Sequence, residues 1–271
     1  MSLDRFFVSP DAWEERSVTL SGDESHHCLR VMRKGLGDEL EIFDGRGRWG
    51  RGVVASDEDG RVRVELREDG SGERPMPAIT LTLAIPKGKT MDLIVQKAVE
   101  LGVGAIQPVV SERGVVRIEG AEAEKKRGKW QRVALEACKP CGQNVLPAVH
   151  APVLFETWLA ARSADRCGML ATLTEGAVPI REAIGHLPAG LEDLDLVIGP
   201  EGDFSATETA RAVQKGIEPV SLGDITLRVE TAVLFALSVL NYTSRRYIFG
   251  ISFPVRYTCL SSAVFFSDDH T

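Results

Sequence analysis

The sequence predicts an α/β protein in which a small β-barrel precedes a largely parallel sheet with helices on both faces. Three observations predict this class. Short runs of alternating polar and apolar residues occupy residues 1–73, strands alternate with amphipathic helices over residues 78–246, and a polar stretch rich in Gly and Pro, Arg67–Pro77, lies at their boundary. Strands that alternate with helices indicate a parallel sheet covered on both faces. A chain of 271 residues is long enough to bury one large core or two modest ones.

The N-terminal region contains two runs with the period of half-buried strands. Leu40–Phe43 and Val62–Leu66 place apolar side chains at alternate positions, and the turn-forming pairs Asp44-Gly45 and Asp59-Gly60 bound them. We therefore predict a β-barrel over residues 1–73, followed by a linker.

The region from residue 78 contains five apolar segments with the length of strands. They are Ile79–Ile85, Ala105–Val110, Cys167–Leu173, Leu194–Ile198 and Val220–Leu222. Helical periodicity predicts amphipathic or apolar helices over Met91–Leu101, Ala121–Cys138 and Glu230–Arg245. A further helix is expected to begin after Ser205, because Ser205 and Glu208 have the spacing of a capping box, in which each side chain bonds the other residue's backbone N–H.

The charge balance disfavours a general nucleic-acid binder. The chain has 32 Lys and Arg against 39 Asp and Glu, a net charge of −7, whereas such binders gain affinity by neutralising phosphates. Contacts with RNA would have to come from local basic clusters, and solvated surface charge is the alternative for each cluster. The clusters are Arg30/Arg33/Lys34, Arg46/Arg48/Arg51, Lys87/Lys89 and Lys125/Lys126/Arg127/Lys129/Arg132.

The sequence indicates a cytoplasmic protein. No basic stretch followed by an apolar one predicts a signal peptide at the N-terminus. Five cysteines at irregular spacing fit a reducing compartment better than a disulfide scaffold. The long apolar segment Tyr247–Phe266 contains Pro254 and Arg256, so no membrane span is expected there.

Three glycine-containing segments leave predicted strands and are candidates for a ligand site. They are Thr172–Gly176, Gly199–Gly202 and Leu222–Asp224. In open α/β sheets, ligands bind beyond the carboxyl ends of the strands, where glycine lets the backbone approach closely. The pattern favours a nucleotide-like ligand only weakly, since GPEG also fits an ordinary strand-to-helix turn. Neither GxGxxG after a strand nor GxxxxGK[ST] occurs in the chain.

Two pairs of potential metal ligands have simpler structural interpretations. Cys138 and Cys141 form a CxxC, which fits half a zinc site or a redox pair, but no second CxxC or suitable His pair accompanies it and it ends a predicted helix. His26 and His27 fit ligands or RNA contacts, although the end of a helix in the barrel is the simpler location. We therefore expect no metal.

Aromatic residues and one arginine are also open to two interpretations. Phe6, Phe7 and Trp49 could stack on RNA bases, but packing in a core is favoured. Arg228 could bond backbone carbonyls or take part in catalysis, and the residues alone leave both roles open.

Five blocks of the sequence resemble those of one known family. The most specific are LVIGPEGDFSATE (Leu196–Glu208) and SLGDITLRVETA (Ser221–Ala232), and the others are His26–Gly47, Pro86–Gly114 and Lys129–Cys138. Their order and spacing, over residues 3–246, resemble the RsmE family of the SPOUT superfamily. The enzymes of this family methylate N3 of a uridine in the decoding region of small-subunit (16S) ribosomal RNA.

This resemblance implies a fold, a cofactor and partners. It implies a PUA-like, RNA-binding barrel over residues 1–73 and a SPOUT methyltransferase domain over residues 78–246, whose last strands and helix thread a trefoil knot. Residues 247–271 are then a C-terminal extension of unknown role. The implied cofactor is S-adenosyl-L-methionine, the implied assembly is a homodimer, and the implied substrate is 16S rRNA in an assembled or nearly assembled small ribosomal subunit, with no membrane involved.

The resemblance also implies site residues. The expected catalytic residues are Arg228 and Glu230. The expected cofactor contacts are Leu173, Thr174, Gly199, Glu201, Gly202, Leu222, Gly223, Leu227, Thr231 and Ala232. The expected RNA contacts are Arg5, Arg30, Arg33, Lys87, Lys89 and Arg113.

Several residues depart from the family pattern. Asp203 follows GPEG where a second glycine is usual, and Ile225 and Thr226 stand where Arg and Ile are usual. Gln143 replaces the arginine that commonly precedes Asn144. Two arginines of the pattern are therefore missing near the expected RNA face.

From these observations we expect an S-adenosylmethionine-dependent rRNA (uracil-N3)-methyltransferase. One alternative is a non-catalytic RNA-binding dimer, against which the glycines at the strand ends argue, since a bare scaffold has no need of them. The other is a SPOUT methyltransferase that acts on another RNA position, such as a ribose 2′-hydroxyl.

Overall fold

The computed structural model of the protein describes residues 3–114, 118 and 120–244. The expected C-terminal extension, with its apolar segment, lies outside the described residues. No helix within these ranges is long and apolar enough to cross a membrane.

The N-terminal region forms a curled five-stranded sheet. Its strands are β1 (Arg5–Phe7), β2 (Ser17–Thr19), β3 (Glu39–Phe43), β4 (Arg48–Ser56) and β5 (Arg63–Ser71), in the order β1-β3-β4-β5-β2. β1 and β3 pair in parallel, and the other neighbouring strands pair antiparallel. Between β2 and β3 lie a short helix, α1 (Gly22–His26), and a π-helical turn, His27–Val31. The alternating runs predicted this sheet because they supply its core: Phe6, Val8, Val18, Leu20, Cys28, Leu40, Ile42, Val54, Val62 and Val64.

The stretch expected to be a linker is partly a strand. β5 continues to Ser71, so residues 67–71 lie in the strand and extend its pairing with β4. β2 pairs with β5 only at residues 63–65 and leaves the remaining edge of β5 open. Polar side chains are compatible with an open edge that faces water, which is why composition alone suggested a loop.

The second sheet has eight strands, and all of its pairings are parallel. The strands are β6 (Ala78–Ala84), β7 (Ala105–Val110), β8 (Ala148–Val149), β9 (Val153–Leu154), β10 (Cys167–Ala171), β11 (Val178–Pro179), β12 (Asp193–Ile198) and β13 (Ile217–Ser221). Their order is β11-β13-β10-β12-β6-β7-β8, and β9 also pairs with β7. The five predicted strands are confirmed, and the three additional ones have only two residues each.

Six helices accompany this sheet within the described residues. They are α2 (Thr90–Glu100), α3 (Ala121–Cys141), α4 (Phe155–Ala161), α5 (Ile180–Gly185), α6 (Ala206–Gln214) and α7 (Val229–Ser244). The capping box is confirmed: Ser205 accepts the N–H of Glu208, and the Glu208 carboxylate accepts the N–H of Ser205 (2.8 Å). α3 continues one turn beyond the predicted end and includes Pro140 in its last turn.

The sheet has an apolar core on each face, as predicted. Neighbouring residues of β12 show the alternation, since Leu196 and Ile198 lie in the core beneath α2, α3 and α7, whereas Val197 lies in the core beneath α4 and α6. Of the α7 residues, Val233, Ala236, Leu237 and Leu240 are fully buried. The carboxyl ends of the central strands are therefore held between two helical layers.

Arg5 joins the barrel to the helical layer. Its guanidinium donates to the carbonyl oxygen of Cys138 (2.9 Å) and to the side-chain oxygen of Asn144, and it pairs with Glu41 (2.8 Å). The Arg5 side chain is only 7% exposed. This position does not support the RNA contact expected for Arg5, because its charge is paired with Glu41 and its terminal N–H groups bond oxygens inside the protein.

Further contacts strengthen this joint between barrel and sheet. Lys139 of α3 pairs with Glu24 of α1 (2.7 Å), and Gly45 forms a backbone bridge with Val145. Gln143 donates from its amide to the carbonyl oxygen of Val99 (3.0 Å). Gln143, which stands where the family pattern has an arginine, therefore lies in the joint and not at the strand ends.

Candidate functional site

Three loops meet at the carboxyl ends of β10, β12 and β13 and enclose a cavity of about 260 Å³. These are the three segments that the sequence placed at strand ends, and parallel pairing of the strands brings them together. The cavity is lined by Ala171, Thr172, Leu173, Ile198, Gly199, Pro200, Glu201, Asp203, Leu222, Gly223, Ile225, Thr226, Leu227, Arg228, Val229 and Ala232. Its walls are mainly apolar, with two carboxylates and one guanidinium among them.

The loop after β12, residues 199–204, is held by its neighbours on two sides. The Glu201 carboxylate accepts the backbone N–H of Lys87 (3.2 Å), and Arg113 donates to the carbonyl oxygen of Gly202 (3.1 Å). Glu208 is 3% exposed and, besides capping α6, accepts the N–H of Glu112 (2.8 Å). The segments after β6 and β7 thus fix the position of this loop.

Asp203 connects the loop after β12 to the loop after β10. One of its carboxylate oxygens accepts hydrogen bonds from the Thr172 hydroxyl (2.9 Å) and the Leu173 N–H (3.0 Å). The other accepts the N–H of Phe204 (2.7 Å). The residue occupies a left-handed backbone conformation, with φ of 59°.

Gly223 gives the loop after β13 its shape. Its φ of 126° is one that side-chain-bearing residues rarely adopt, and no atom lies within 4 Å of where a Cβ would be. Gly199 differs, because a Cβ there would meet the Asp203 carboxylate at 3.1 Å and Phe204 at 3.2 Å. Glycine at position 199 therefore suits the close packing within the loop, whereas glycine at position 223 suits a backbone conformation beside an open space.

Arg228 lies at the edge of the cavity and is exposed. Among the described residues, its guanidinium has no hydrogen bond or ion pair, so the alternative in which it bonds backbone carbonyls has no support. Glu230 is half-buried in the first turn of α7 and does not line the cavity. A carboxylate there stabilises the amino end of the helix, and this position does not support the direct catalytic role expected for Glu230.

The structure brings most of the expected cofactor residues together. Seven line the cavity: Leu173, Gly199, Glu201, Leu222, Gly223, Leu227 and Ala232. Thr174, Gly202 and Thr231 are adjacent in sequence but outside the lining. Ile225 and Thr226 also line the cavity and lie within the loop 222–232 that the resemblance implies, whereas Asp203 lies just beyond the implied loop 199–202 and was noted only as a departure from the family pattern.

The expected RNA contacts fall into two groups. Lys87, Lys89 and Arg113 are exposed around the loop after β12, whereas Arg30 and Arg33 are exposed on the barrel beside the apolar Val31 and Met32. Of these, Arg113 is engaged with backbone carbonyls. The side chains of the other four cations have no recorded partner in the described part of the chain.

A larger cavity, of about 1190 Å³, lies at the joint between barrel and sheet. Both acidic and basic side chains line it, among them Glu41, Glu68, Arg51 and Arg67. No residue of the three strand-end loops borders it, so we assign the ligand site to the smaller cavity.

Cys138 and the aromatic residues of the barrel are buried or half-buried. Burial raises the pKa of the Cys138 thiol to about 12, which disfavours the thiolate needed for metal or redox chemistry. Phe6 is fully buried in the barrel, and Phe7 packs edge-on against Phe43 at 5.7 Å. Trp49 is half-buried beside Arg51. Core packing is thus confirmed for Phe6 and Phe7.

Two family models match the chain. An RNA methyltransferase domain matches residues 73–241, and an RNA methyltransferase PUA domain matches residues 20–67. Among curated proteins, the chain is 32% identical over 240 residues to the ribosomal RNA small subunit methyltransferase E of Synechocystis, covering 88% of this chain and 77% of that protein. It is 30% identical over 248 residues to the protein of the same name from Bacillus subtilis, covering 89% and 96%.

Solved structures with a similar fold contain S-adenosylmethionine. The ribosomal RNA small subunit methyltransferase E of Neisseria gonorrhoeae, bound to S-adenosyl methionine, is 28% identical with a TM-score of 0.79, over 89% of this chain and 97% of that one. A methyltransferase of Legionella pneumophila in complex with the same cofactor is 30% identical with a TM-score of 0.79, over 89% and 98%.

Proposed function

The chain belongs to the RsmE family of S-adenosylmethionine-dependent ribosomal RNA methyltransferases, and from this premise we propose that it methylates N3 of a uridine in small-subunit (16S) ribosomal RNA. The observation that carries the proposal is the cavity formed by the three loops at the ends of β10, β12 and β13.

The residues of this cavity fit S-adenosylmethionine. The apolar side chains of Leu173, Ile198 and Leu222 provide walls for an adenine ring, and backbone groups at the strand ends are available for its polar edge. The open space beside Gly223 lets the ligand approach the backbone. The carboxylates of Glu201 and Asp203 favour a cationic ligand. The cofactor would supply a methyl group already activated on a sulfonium, so the protein has mainly to orient it and exclude water.

Arg228 is the residue that we assign to the reacting base. N3 of uracil is a poor nucleophile while it holds its proton, and loss of the proton spreads negative charge over N3, O2 and O4. The unpaired guanidinium at the cavity edge can donate to those oxygens as charge develops. We assign no protein base, because Glu230 lies outside the cavity lining; water takes the proton.

The basic residues around the cavity and on the barrel are the proposed RNA contacts. The Glu201 carboxylate accepts the backbone N–H of Lys87, which places Lys87 and the nearby Lys89 beside the loop after β12. Arg30 and Arg33 are two exposed cations on the barrel. An acidic chain with a few cations at two places favours a folded RNA that reaches both of them. We therefore propose as substrate the 16S rRNA of an assembled or nearly assembled small subunit, modified in the cytoplasm.

The proposed assembly is a homodimer formed through the exposed side of α7. Phe235 and Tyr242 are 40% and 74% exposed on this helix, whose opposite side is buried. Ile225 and Leu173, at the cavity mouth, are 78% and 66% exposed. A second copy would cover apolar surface beside the cavity and complete its wall.

Cofactor binding at the cavity can be tested with a matched pair of glycine variants. Gly223 and Gly216 border the two ends of β13, both have positive φ, and neither has an atom within 4 Å of a Cβ position. Both Gly223→Ala and Gly216→Ala strain the backbone, more so at Gly223 (φ 126°) than at Gly216 (φ 77°), but only the first adds an atom at the cavity. We expect calorimetry to show S-adenosylmethionine affinity at least about tenfold weaker for Gly223→Ala and nearly unchanged for Gly216→Ala. Equal affinities would place the cofactor elsewhere.

The substrate position can be tested by mass mapping of 16S rRNA. Small subunits from a strain lacking the gene are incubated with the purified protein and cofactor, and we expect one added methyl group on the base of a single uridine. A methyl group on ribose would support the alternative of a SPOUT enzyme with another target. Cofactor-independent RNA binding with no methylation would support the non-catalytic dimer.

A further inference from the structure

We propose that Asp203 is a positioning residue for the cofactor: its carboxylate ties the loop after β10 to the loop after β12 and holds these two cavity walls at a fixed separation. The inference rests on the proposed assignment of the cavity to S-adenosylmethionine.

The hydrogen bonds of Asp203 cross from one cofactor loop to the other. A single carboxylate oxygen accepts both the Thr172 hydroxyl (2.9 Å) and the Leu173 N–H (3.0 Å), and the second oxygen accepts the Phe204 N–H (2.7 Å). Thr172, Leu173 and Asp203 all line the cavity. Breaking this tie would therefore change the shape of the cavity itself.

The tie extends into the loop after β10. The hydroxyl of Thr172 lies 2.8 Å from that of Thr174 and also accepts the Thr174 N–H (3.2 Å). Thr172 is buried, whereas Leu173 and Thr174 are exposed. The carboxylate thus anchors an otherwise exposed loop through the hydroxyl of its buried member, Thr172, and the backbone N–H of Leu173.

The backbone at Asp203 indicates that the side chain has a specific task. A φ of 59° costs free energy for any residue with a Cβ, although Asp and Asn tolerate it better than most. Glycine would adopt this conformation without strain. The chain has instead a residue whose carboxylate accepts three hydrogen bonds, two of them from the opposite loop.

The test compares Asp203→Asn and Thr172→Val with a matched control, Asp165→Asn. Asn tolerates the same backbone but has no charge and one acceptor oxygen where Asp has two, so it cannot hold both the cross-loop hydrogen bonds and the Phe204 hydrogen bond. Val keeps the size of Thr while removing the hydroxyl. Asp165 is exposed near the opposite end of β10. Dissociation constants for S-adenosylmethionine are measured by calorimetry on the full chain, and KM and kcat are measured on small ribosomal subunits.

We expect a Kd about tenfold higher for Asp203→Asn and about threefold higher for Thr172→Val, because each lost hydrogen bond contributes modestly. The double variant should be no weaker than Asp203→Asn alone, since both changes break the same contact. KM for the cofactor should rise with Kd, while kcat at saturating cofactor stays within about twofold of the unmodified protein.

A Kd within about twofold of the unmodified protein for Asp203→Asn would overturn the proposal, as would fully additive losses in the double variant. A lowered melting temperature with unchanged Kd would also refute it, because the contact would then be purely structural. If Asp203→Asn does not fold, an unchanged Kd for Thr172→Val decides against the tie. Absence of binding by the unmodified protein and by Asp165→Asn would instead refute the cofactor assignment, and this inference with it.

Discussion

Arg228 is the residue whose replacement should separate catalysis from cofactor binding. A guanidinium gains nothing from a cationic sulfonium, but it stabilises the uracil anion that develops on the way to the transition state. Arg228→Ala should therefore slow methyl transfer by about a hundred- to a thousandfold and leave cofactor affinity nearly unchanged. Single-turnover methylation and calorimetry measure the two effects.

Two controls sharpen the Arg228 prediction. Arg228→Lys should recover only part of the rate, since a point charge cannot bridge two oxygens as a planar fork can, and Arg181→Ala, at an exposed position on α5, should have no effect. Raised pH should partly rescue Arg228→Ala by ionising more of the uracil. A loss of cofactor affinity in proportion to rate would show that Arg228 is structural.

Two buried thiols should make folding stability fall at alkaline pH. Burial raises the pKa of Cys138 to about 12 and that of Cys28 to about 11, from an ordinary value of 9.0. Above about pH 9 the unfolded chain loses these protons while the folded chain keeps them, so the unfolded state is stabilised relative to the folded state. Each thiol should reduce the free energy of unfolding by about 1.4 kcal/mol per pH unit over its window.

The measurement is urea unfolding between pH 8 and pH 12, which are chosen to bracket those windows. Cys138→Ala should lessen the decline above about pH 9, after allowance for the stability it loses at every pH from a smaller core side chain. An identical pH dependence in both proteins would mean that the Cys138 thiol ionises as readily in the folded chain as in the unfolded one.

At the scale of elements, two short segments should account for much of the RNA affinity. The connection between β6 and α2 presents Lys87 and Lys89, and the turn after α1 presents Arg30 and Arg33. Each phosphate contact that is removed should lower the salt slope of binding by about one. Replacing all four cations by Gln should therefore weaken subunit binding and flatten its dependence on salt.

The matched control for this prediction replaces cations of α3. Lys125, Lys126 and Arg132 are as basic, but α3 contributes no residue to the cavity. Their replacement should change the salt slope little, and neither set should alter cofactor affinity. A slope that falls with the α3 set instead would move the RNA face to that helix.

At the scale of the whole molecule, the exposed side of α7 predicts the oligomeric state. Light scattering at micromolar concentration should give twice the mass of the chain. Phe235→Glu combined with Tyr242→Glu should give monomers with a folded helix and weaker cofactor binding, because the neighbouring copy covers the cavity mouth. A monomeric unmodified protein, or dimers that survive both substitutions, would contradict this arrangement.

The fold was predictable where periodicity and burial agree. The helix Thr90–Glu100 and the strand Ala105–Val110 have apolar side chains at the spacing of their element, and those side chains lie in the core. The two-residue strands β8, β9 and β11 exist only because longer neighbours accept them, and no local pattern marks so short a segment. The polar end of β5 likewise has the composition of a loop, and it is a strand because it pairs with β4.

The site was predictable in position but less so in the roles of its residues. Strand ends followed by glycine located the cavity, because parallel strands bring their carboxyl ends to one edge. Arg5 and Arg113 have the charge of RNA contacts, yet both bond carbonyl oxygens of distant segments. Asp203 was recognisable only as a departure from the pattern, because its three partners come from two loops that meet on folding.

The contacts around Arg5 fix the position of the barrel relative to the parallel sheet. The Arg5 guanidinium bonds residues on both sides of the joint, and Lys139 forms a second ion pair with Glu24, so these contacts oppose rotation of the barrel relative to the sheet. These contacts therefore favour one distance between the cations of the barrel and the cavity at the strand ends. Under the proposed function, an RNA that already has the matching shape would contact both places, whereas unfolded RNA of the same sequence would first have to be ordered and would incur that entropy cost. The enzyme would then distinguish folded from unfolded RNA by the distance between the two contacted parts of the RNA.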